Sequence, residues 1–168
     1  MRTTSRCSRR SVPQKGFRHV LKRRDLARFI ELIPDWDELS VGLHWVVLSK
    51  DTGCHGFHRR GQIAVCAWPS TLWTEDMSKG WYWEHAELLE RLDVDVWKVG
   101  YRWVATWTED QVRAYQLLHV FLHELGHHVD RMTTWSERRP ARGEPFAEAF
   151  AYELEEQLWE DFARVFPL

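Results

Sequence analysis

A pentapeptide with metal-binding spacing lies in the C-terminal half of the chain. His123-Glu124-Leu125-Gly126-His127 places two histidines four residues apart, with a glutamate directly after the first. Side chains at positions i and i+4 of a helix lie on the same face, so both imidazoles can bind one Zn²⁺ ion. Glu124 then lies beside the ion, where it can accept a proton from activated water. The pattern therefore predicts a zinc site suited to hydrolysis.

A catalytic zinc ion needs a third protein ligand and one position left for water. Glu144 and Glu148 follow in the segment GEPFAEAFA and are four residues apart, so they share one face of a second helix. One carboxylate can bind the metal, while the other can hydrogen-bond to a ligating histidine and fix its tautomer. Pro145 disfavours helical dihedral angles at Glu144, which leaves Glu148 as the alternative third ligand.

The segments HELGHHVD and EPFAEAFA resemble the gluzincin metallopeptidases, most closely the anthrax lethal factor type and the related proline-directed clostridial endopeptidases. The resemblance covers about residues 117–152, and its two motifs are specific only together. It implies a site in which His123, His127 and Glu144 bind zinc, Glu124 is the general base, and Glu148 orients a zinc-binding histidine. Asp130 also matches a position in the family pattern, without a role that the sequence reveals.

The resemblance also implies a compact α+β, zincin-like domain with a small mixed sheet, an active-site helix and a C-terminal helix that carries the third ligand. The family often supplies a tyrosine hydroxyl shortly before this ligand to stabilise the oxyanion, but residues 133–143 contain no tyrosine. The substitutes that the sequence offers are Tyr152, Arg138, Arg139 and Arg142.

Apolar periodicity predicts the elements that position the motifs. A capping box at Thr108 and Gln111 and apolar residues every three or four positions predict a helix over 109–131, and Pro145 begins a second helix. Upstream, the pattern predicts a helix over 19–33, strands at 43–49 and 62–68 joined by a loop, a short helix over 82–92, and a strand over 96–107 with a bulge at Gly100. By analogy with zincins, this last strand is expected to pair with an extended peptide substrate.

Length and composition indicate one globular domain. The chain has 168 residues, of which 44% are hydrophobic and 29% charged. Residues 1–28 carry ten Lys or Arg and one acid. We expect residues 1–16 to form a disordered basic arm ahead of a single domain over 17–168, with nucleic-acid binding by the arm as a weaker alternative. No secretory signal or apolar run of membrane-spanning length is readable, which predicts a cytoplasmic protein that does not engage membranes.

Other chemistries are less well supported by the residues. The chain has no GxSxG elbow, no complete Walker A motif and no dinucleotide fingerprint. A second zinc site at Cys54, His55, His58 and Cys66 matches no strong spacing, and His119 is more simply explained as a packed histidine than as part of a cleft.

The sequence therefore predicts a zinc-dependent endopeptidase with one zinc ion per chain and a peptide or protein substrate. The alternatives are a zinc-binding module of zincin fold without turnover, and a nucleic-acid-associated protease. The sequence indicates neither the cleavage specificity nor the oligomeric state.

Overall fold

The computed structural model describes residues 6–134 and 142–168. Its helices are α1 (Arg23–Ile30), α2 (Trp36–Leu39), α3 (Lys79–Arg91), α4 (Glu109–Tyr115), α5 (Leu122–Thr133) and α6 (Glu144–Val165), with a π-helical segment (Gln116–Phe121) joining α4 to α5. Its strands are β1 (Arg6–Arg10), β2 (Phe17–Arg18), β3 (Trp45–Ser49), β4 (Gly56–Arg59), β5 (Gln62–Cys66), β6 (Trp68–Pro69), β7 (Trp73–Met77), β8 (Asp95–Val99) and β9 (Arg102–Thr106).

The largest sheet has four strands in the order β1-β3-β5-β4. Strands β1, β3 and β5 are parallel, and β4 runs antiparallel to β5. Ile63, Ala64 and Val65 of β5 are fully buried, as expected for a parallel strand covered on both faces. The predicted strands at 43–49 and 62–68 correspond to β3 and β5.

Two features of this sheet differ from the sequence prediction. The polar segment expected to be a loop contains β4, whose backbone pairs with β5 through a two-residue turn at Arg60 and Gly61, where Gly61 adopts a φ of 73°. The boundary expected at residue 17 also does not match the sheet, because Arg6–Arg10 pair in parallel with β3. Backbone hydrogen bonds produce both strands, and such bonds depend little on the polar side chains that suggested a loop and an arm.

A second sheet corrects the prediction of one strand over 96–107. This segment forms a hairpin of β8 and β9, which pairs with β7 in the order β7-β9-β8. The chain reverses between Val99 and Arg102, and Gly100 adopts a φ of 62°. The glycine therefore supports a tight turn rather than a bulge, since a two-residue hairpin turn favours residues that tolerate positive φ.

The predicted helix over 109–131 is present as one continuous helical run from Glu109 to Thr133. Its capping box forms as predicted: Thr108 Oγ1 accepts a hydrogen bond from the Gln111 amide at 3.1 Å, and Gln111 Oε1 accepts one from the Thr108 amide at 2.8 Å. All six residues of the π-helical segment are buried. The run thus crosses the interior and carries the HELGH residues on its second half.

The last helix, α6, packs directly against α5. Gly126 lies so close to α6 that an added Cβ would be 2.8 Å from Ala147 Cα. The described chain is thus a mixed α and β fold with small sheets and several helices, which agrees with the predicted class at this coarse level. None of its described helices combines the length and apolar character needed to cross a membrane.

Candidate metal centre

Three predicted ligands converge where α5 meets the start of α6. His123 Nε2 and His127 Nε2 are 3.1 Å apart, because the two residues are separated by one helical turn. Glu144 reaches both rings: its Oε2 lies 3.1 Å from His123 Nε2, and its Oε1 lies 3.3 Å from His127 Nε2. Two imidazole nitrogens and a carboxylate form the donor set that catalytic zinc sites use, so these residues fit a zinc ion.

Asp130 holds the start of α6 next to this group. The carboxylate is almost completely buried and accepts hydrogen bonds from the Gly143 amide and from Arg142 Nε, both at 2.8 Å. Burial acts to raise the pKa of Asp130, but these donors lower it overall. Glu144 follows Gly143 directly and is the first residue of α6, so Asp130 of α5 indirectly positions the third predicted ligand.

Glu148 lies on the other side of His123. Its Oε2 accepts a hydrogen bond from His123 Nδ1 at 2.8 Å, which leaves Nε2 free to face Glu144 and His127. Burial acts to raise the pKa of Glu148, but the hydrogen bond from His123 and the proximity of His119 lower it to about 2. The structure thus places Glu144 with the two Nε2 atoms and Glu148 at the supporting position.

Glu124 lies beside the predicted ligands in a largely dehydrated position. The residue is only 7% exposed, and burial raises the pKa of its carboxyl group to about 7. Strand β4 passes close to it, since a Cβ added to Gly56 would lie 3.1 Å from Glu124 Cγ and 2.6 Å from Val120 Cγ1. A larger residue at position 56 would therefore push β4 away from the site.

The group opens into a cavity of about 490 Å³ between α5, α6 and β4. Its lining residues from β4 are Gly56, Phe57 and His58. Strand β4 ends the four-stranded sheet, so only one of its edges pairs with a strand of the described chain. The segment 96–107, which the sequence suggested as the substrate strand, contributes no lining residue to this cavity.

Sequence reasoning missed a histidine that lies beside the site. His85 of α3 and His119 of the π-helical segment have their Nε2 atoms 2.9 Å apart, and each residue is only 5% exposed. Burial lowers the pKa of His119 to about 3. His119 precedes His123 by one helical turn, and this spacing could have indicated that it lies near the predicted site. His85 lies 34 residues before His119 and belongs to no motif, so the sequence contains no such indication.

The second zinc site at Cys54, His55, His58 and Cys66, which the sequence supported only weakly, does not form. Cys54 Sγ lies 3.6 Å from Cys66 Sγ, but His55 Nδ1 contacts the Tyr115 hydroxyl at 3.2 Å. Within the described chain, the His, Cys, Asp and Glu groups that could hold a metal include none of Cys54, His55, His58 and Cys66.

The suggested oxyanion stabilisers are engaged elsewhere or lie outside the described residues. Tyr152 donates its hydroxyl hydrogen to the Glu84 carbonyl, and Arg142 donates to Asp130 and to Thr133. Arg138 and Arg139 lie outside the described residues. Neither Tyr152 nor Arg142 lines the cavity in this arrangement.

Comparison with known proteins finds no match among protein-family models, curated proteins or solved structures.

Proposed function

We propose that this chain is a zinc-dependent endopeptidase with a zincin-like fold. One observation carries the proposal: His123, His127 and Glu144 converge on a common point, with a buried glutamate beside them and a cavity in front. A bound zinc ion would polarise the scissile carbonyl group and acidify a water molecule. Zinc with the ligand set His₂Glu performs this chemistry in metallopeptidases.

Glu124 is the general base in this proposal. Burial raises the pKa of its carboxyl group, which makes this carboxylate a stronger base than an exposed glutamate. The residue takes the proton from the attacking water and returns it to the leaving amine. Glu148 supports the reaction by holding the His123 ring, since its hydrogen bond to Nδ1 fixes the tautomer.

Strand β4 replaces the segment 96–107 as the proposed substrate strand. Gly56, Phe57 and His58 line the cavity, and β4 is the last strand of its sheet. An extended peptide can add to such an edge through main-chain hydrogen bonds. The peptide would then lie across the cavity that contains Glu124 and the three predicted ligands.

The test combines cleavage of a proteome-derived peptide library, read by mass spectrometry, with zinc analysis of the same samples. We expect the wild type to cleave peptides, a chelator to abolish cleavage, and added zinc to restore it. Glu124→Gln should reduce cleavage by about 100-fold or more, the usual contribution of a general base, while the zinc content stays unchanged.

Glu153→Gln is the matched control, because Glu153 is exposed on α6 and should retain full activity. Wild-type protein that holds zinc at His123, His127 and Glu144 but cleaves nothing would contradict the proposal. That outcome would favour a zinc-binding module without turnover.

A further inference from the structure

A second group of potential metal ligands lies deeper in the molecule than the first. His85, His119 and Glu148 bring one ligand atom each to within 4.8 Å of one another. They come from three different elements: α3, the π-helical segment and α6. All three residues line one cavity of about 280 Å³, which also contains His123 and Glu124. We propose that His85, His119 and Glu148 form a second divalent-cation site, and that the cation is zinc.

The geometry of the two histidines resembles that of the first site. The Nε2 atoms of His85 and His119 face each other at 2.9 Å, as those of His123 and His127 do at 3.1 Å. Two buried imidazoles in this arrangement either share one proton or direct lone pairs at a common ion. The interior position favours neutral rings, which is the form that binds metal.

The hydrogen bond made by His85 favours the tautomer that binds metal. His85 Nδ1 lies 2.7 Å from the Trp81 carbonyl oxygen and must donate to it, so the lone pair of a neutral ring is on Nε2. A backbone carbonyl in this role commonly orients metal-binding histidines. For Nε2 of His119 to present a lone pair, the proton must lie on Nδ1, which is buried and has no hydrogen-bond partner among the described residues. The bond from Nε2 to the cation must therefore outweigh one unsatisfied N–H group.

Glu148 supplies the negative charge that the two neutral rings lack. Its Oε2 lies 3.9 Å from His119 Nε2 and accepts the hydrogen bond from His123. Its other oxygen, Oε1, is buried without a hydrogen-bond partner among the described residues. A cation between the two histidines would give this carboxylate a second partner besides His123, and Glu148 would then contact both sites at once.

The first experiment counts zinc ions per chain in the zinc-saturated, full-length protein by plasma mass spectrometry after removal of free metal. We expect two ions in the wild type and one in His85→Gln and in His119→Gln. We also expect one ion in His123→Ala and none in a variant that combines His85→Gln with His123→Ala. His55→Gln is the matched control, because His55 lines the same cavity outside the proposed ligand group and should keep both ions.

Two further measurements do not depend on how well the His85 variants fold. Anomalous diffraction at the zinc edge on wild-type crystals should show two peaks, one of them between His85 and His119. Zinc should also raise the Tm of His123→Ala, because an ion held by α3, the π-helical segment and α6 binds the folded state alone.

The outcomes separate this site from the proposed function. One ion that His123→Ala removes and His85→Gln leaves in place would overturn the second site and leave the peptidase proposal intact. One ion that His85→Gln removes and His123→Ala leaves in place would support the second site and contradict the peptidase proposal. A wild type that holds no zinc would overturn both.

Discussion

Asp130 is a buried carboxylate on α5 that positions Glu144, the first residue of α6. Its carboxylate accepts hydrogen bonds from Arg142 and Gly143, and Glu144 comes next in the chain. Asp130→Asn keeps one acceptor oxygen and replaces the other with an NH₂ group, so one of these bonds is lost and the other no longer has an ionised acceptor. Asp130→Asn should therefore loosen the start of α6 without altering any predicted zinc ligand.

We expect Asp130→Asn to lower zinc affinity at the His123 site by about 10- to 100-fold, the usual range for residues that position a metal ligand. Competition with a chromophoric chelator measures this change, and His85→Gln as the background removes any contribution from the second proposed site. Asp161→Asn is the control, since Asp161 is exposed at the far end of α6 and pairs with Arg164. Equal zinc affinity in the Asp130 and Asp161 variants would show that Asp130 does not position Glu144.

The individual residues also show how far the sequence could predict the site. The spacings of His123 with His127 and of Glu144 with Glu148 follow from helix periodicity, so local pattern was enough to suggest them. Pro145 left the choice between the two glutamates open, because the restraint that holds Glu144 comes from Asp130 and is tertiary. His85 could not be suggested at all, since only the packing of α3 brings it to His119.

Helices α5 and α6 approach each other at Gly126, inside the HELGH segment. An added Cβ would lie 2.8 Å from Ala147 Cα and 3.0 Å from Ala147 O, so backbone atoms rather than a flexible side chain would have to move. Ala147 immediately precedes Glu148 on α6. A methyl group at position 126 would thus separate the two helices that together carry the predicted ligands.

We expect Gly126→Ala to lower the free energy of unfolding by about 1 to 3 kcal/mol, the usual cost of overpacking, although alanine favours helix at an unconstrained position. Zinc affinity should fall as well, because α6 carries Glu144. Urea denaturation and zinc titration measure the two effects. Gly80→Ala in α3 is the control, as its added Cβ would meet only Ser78 Oγ at 3.9 Å. A Gly126 variant as stable as the Gly80 variant would contradict this account of the helix contact.

The elements were predicted correctly where apolar residues repeat at helical spacing over many positions. They were predicted wrongly where the pairing of strands decides the structure. The capping box and the apolar repeat located the helix that carries HELGH within two residues of its observed end. Strand β4 was missed because Gly56–Arg59 has no alternation of apolar and polar residues. Its backbone becomes a strand only by hydrogen-bonding to β5, which the local sequence does not reveal. The same reason explains why the segment 96–107 forms a hairpin with a turn at Gly100.

Across the whole molecule, α6 packs against α3 as well as α5, and this second contact buries a charge. Glu155 of α6 is 4% exposed, and its Oε1 lies 3.4 Å from Arg91 Nη1 of α3. Its Oε2 is buried without a hydrogen-bond partner among the described residues. Burial raises the pKa of Glu155 to about 7, although the proximity of Arg91 acts to lower it.

This raised pKa makes the stability of the fold depend on pH. The folded chain binds the Glu155 proton more tightly than the unfolded chain, whose pKa is about 4.5. The stabilisation is therefore complete below pH 4.5 and is lost as the pH rises through 7, because the ionised carboxylate is poorly solvated in the folded state. The expected loss is at most about 3 kcal/mol, since the pKa differs between 4.5 and about 7 and each pKa unit corresponds to roughly 1.4 kcal/mol.

Glu155→Gln removes this titration, so we expect the variant to exceed the wild type in free energy of unfolding by about 1 to 3 kcal/mol at pH 8 and to differ little at pH 4.5. Urea denaturation at both pH values, with a chelator present to exclude metal release, measures the difference. Glu156→Gln is the matched control, since Glu156 also pairs with Arg91 but its side chain is 74% exposed. Glu155→Gln and the wild type could instead differ by the same amount at both pH values. That result would mean that Glu155 is ionised throughout this range. The attraction of Arg91 would then lower the pKa of Glu155 by at least as much as its burial between α6 and α3 raises it.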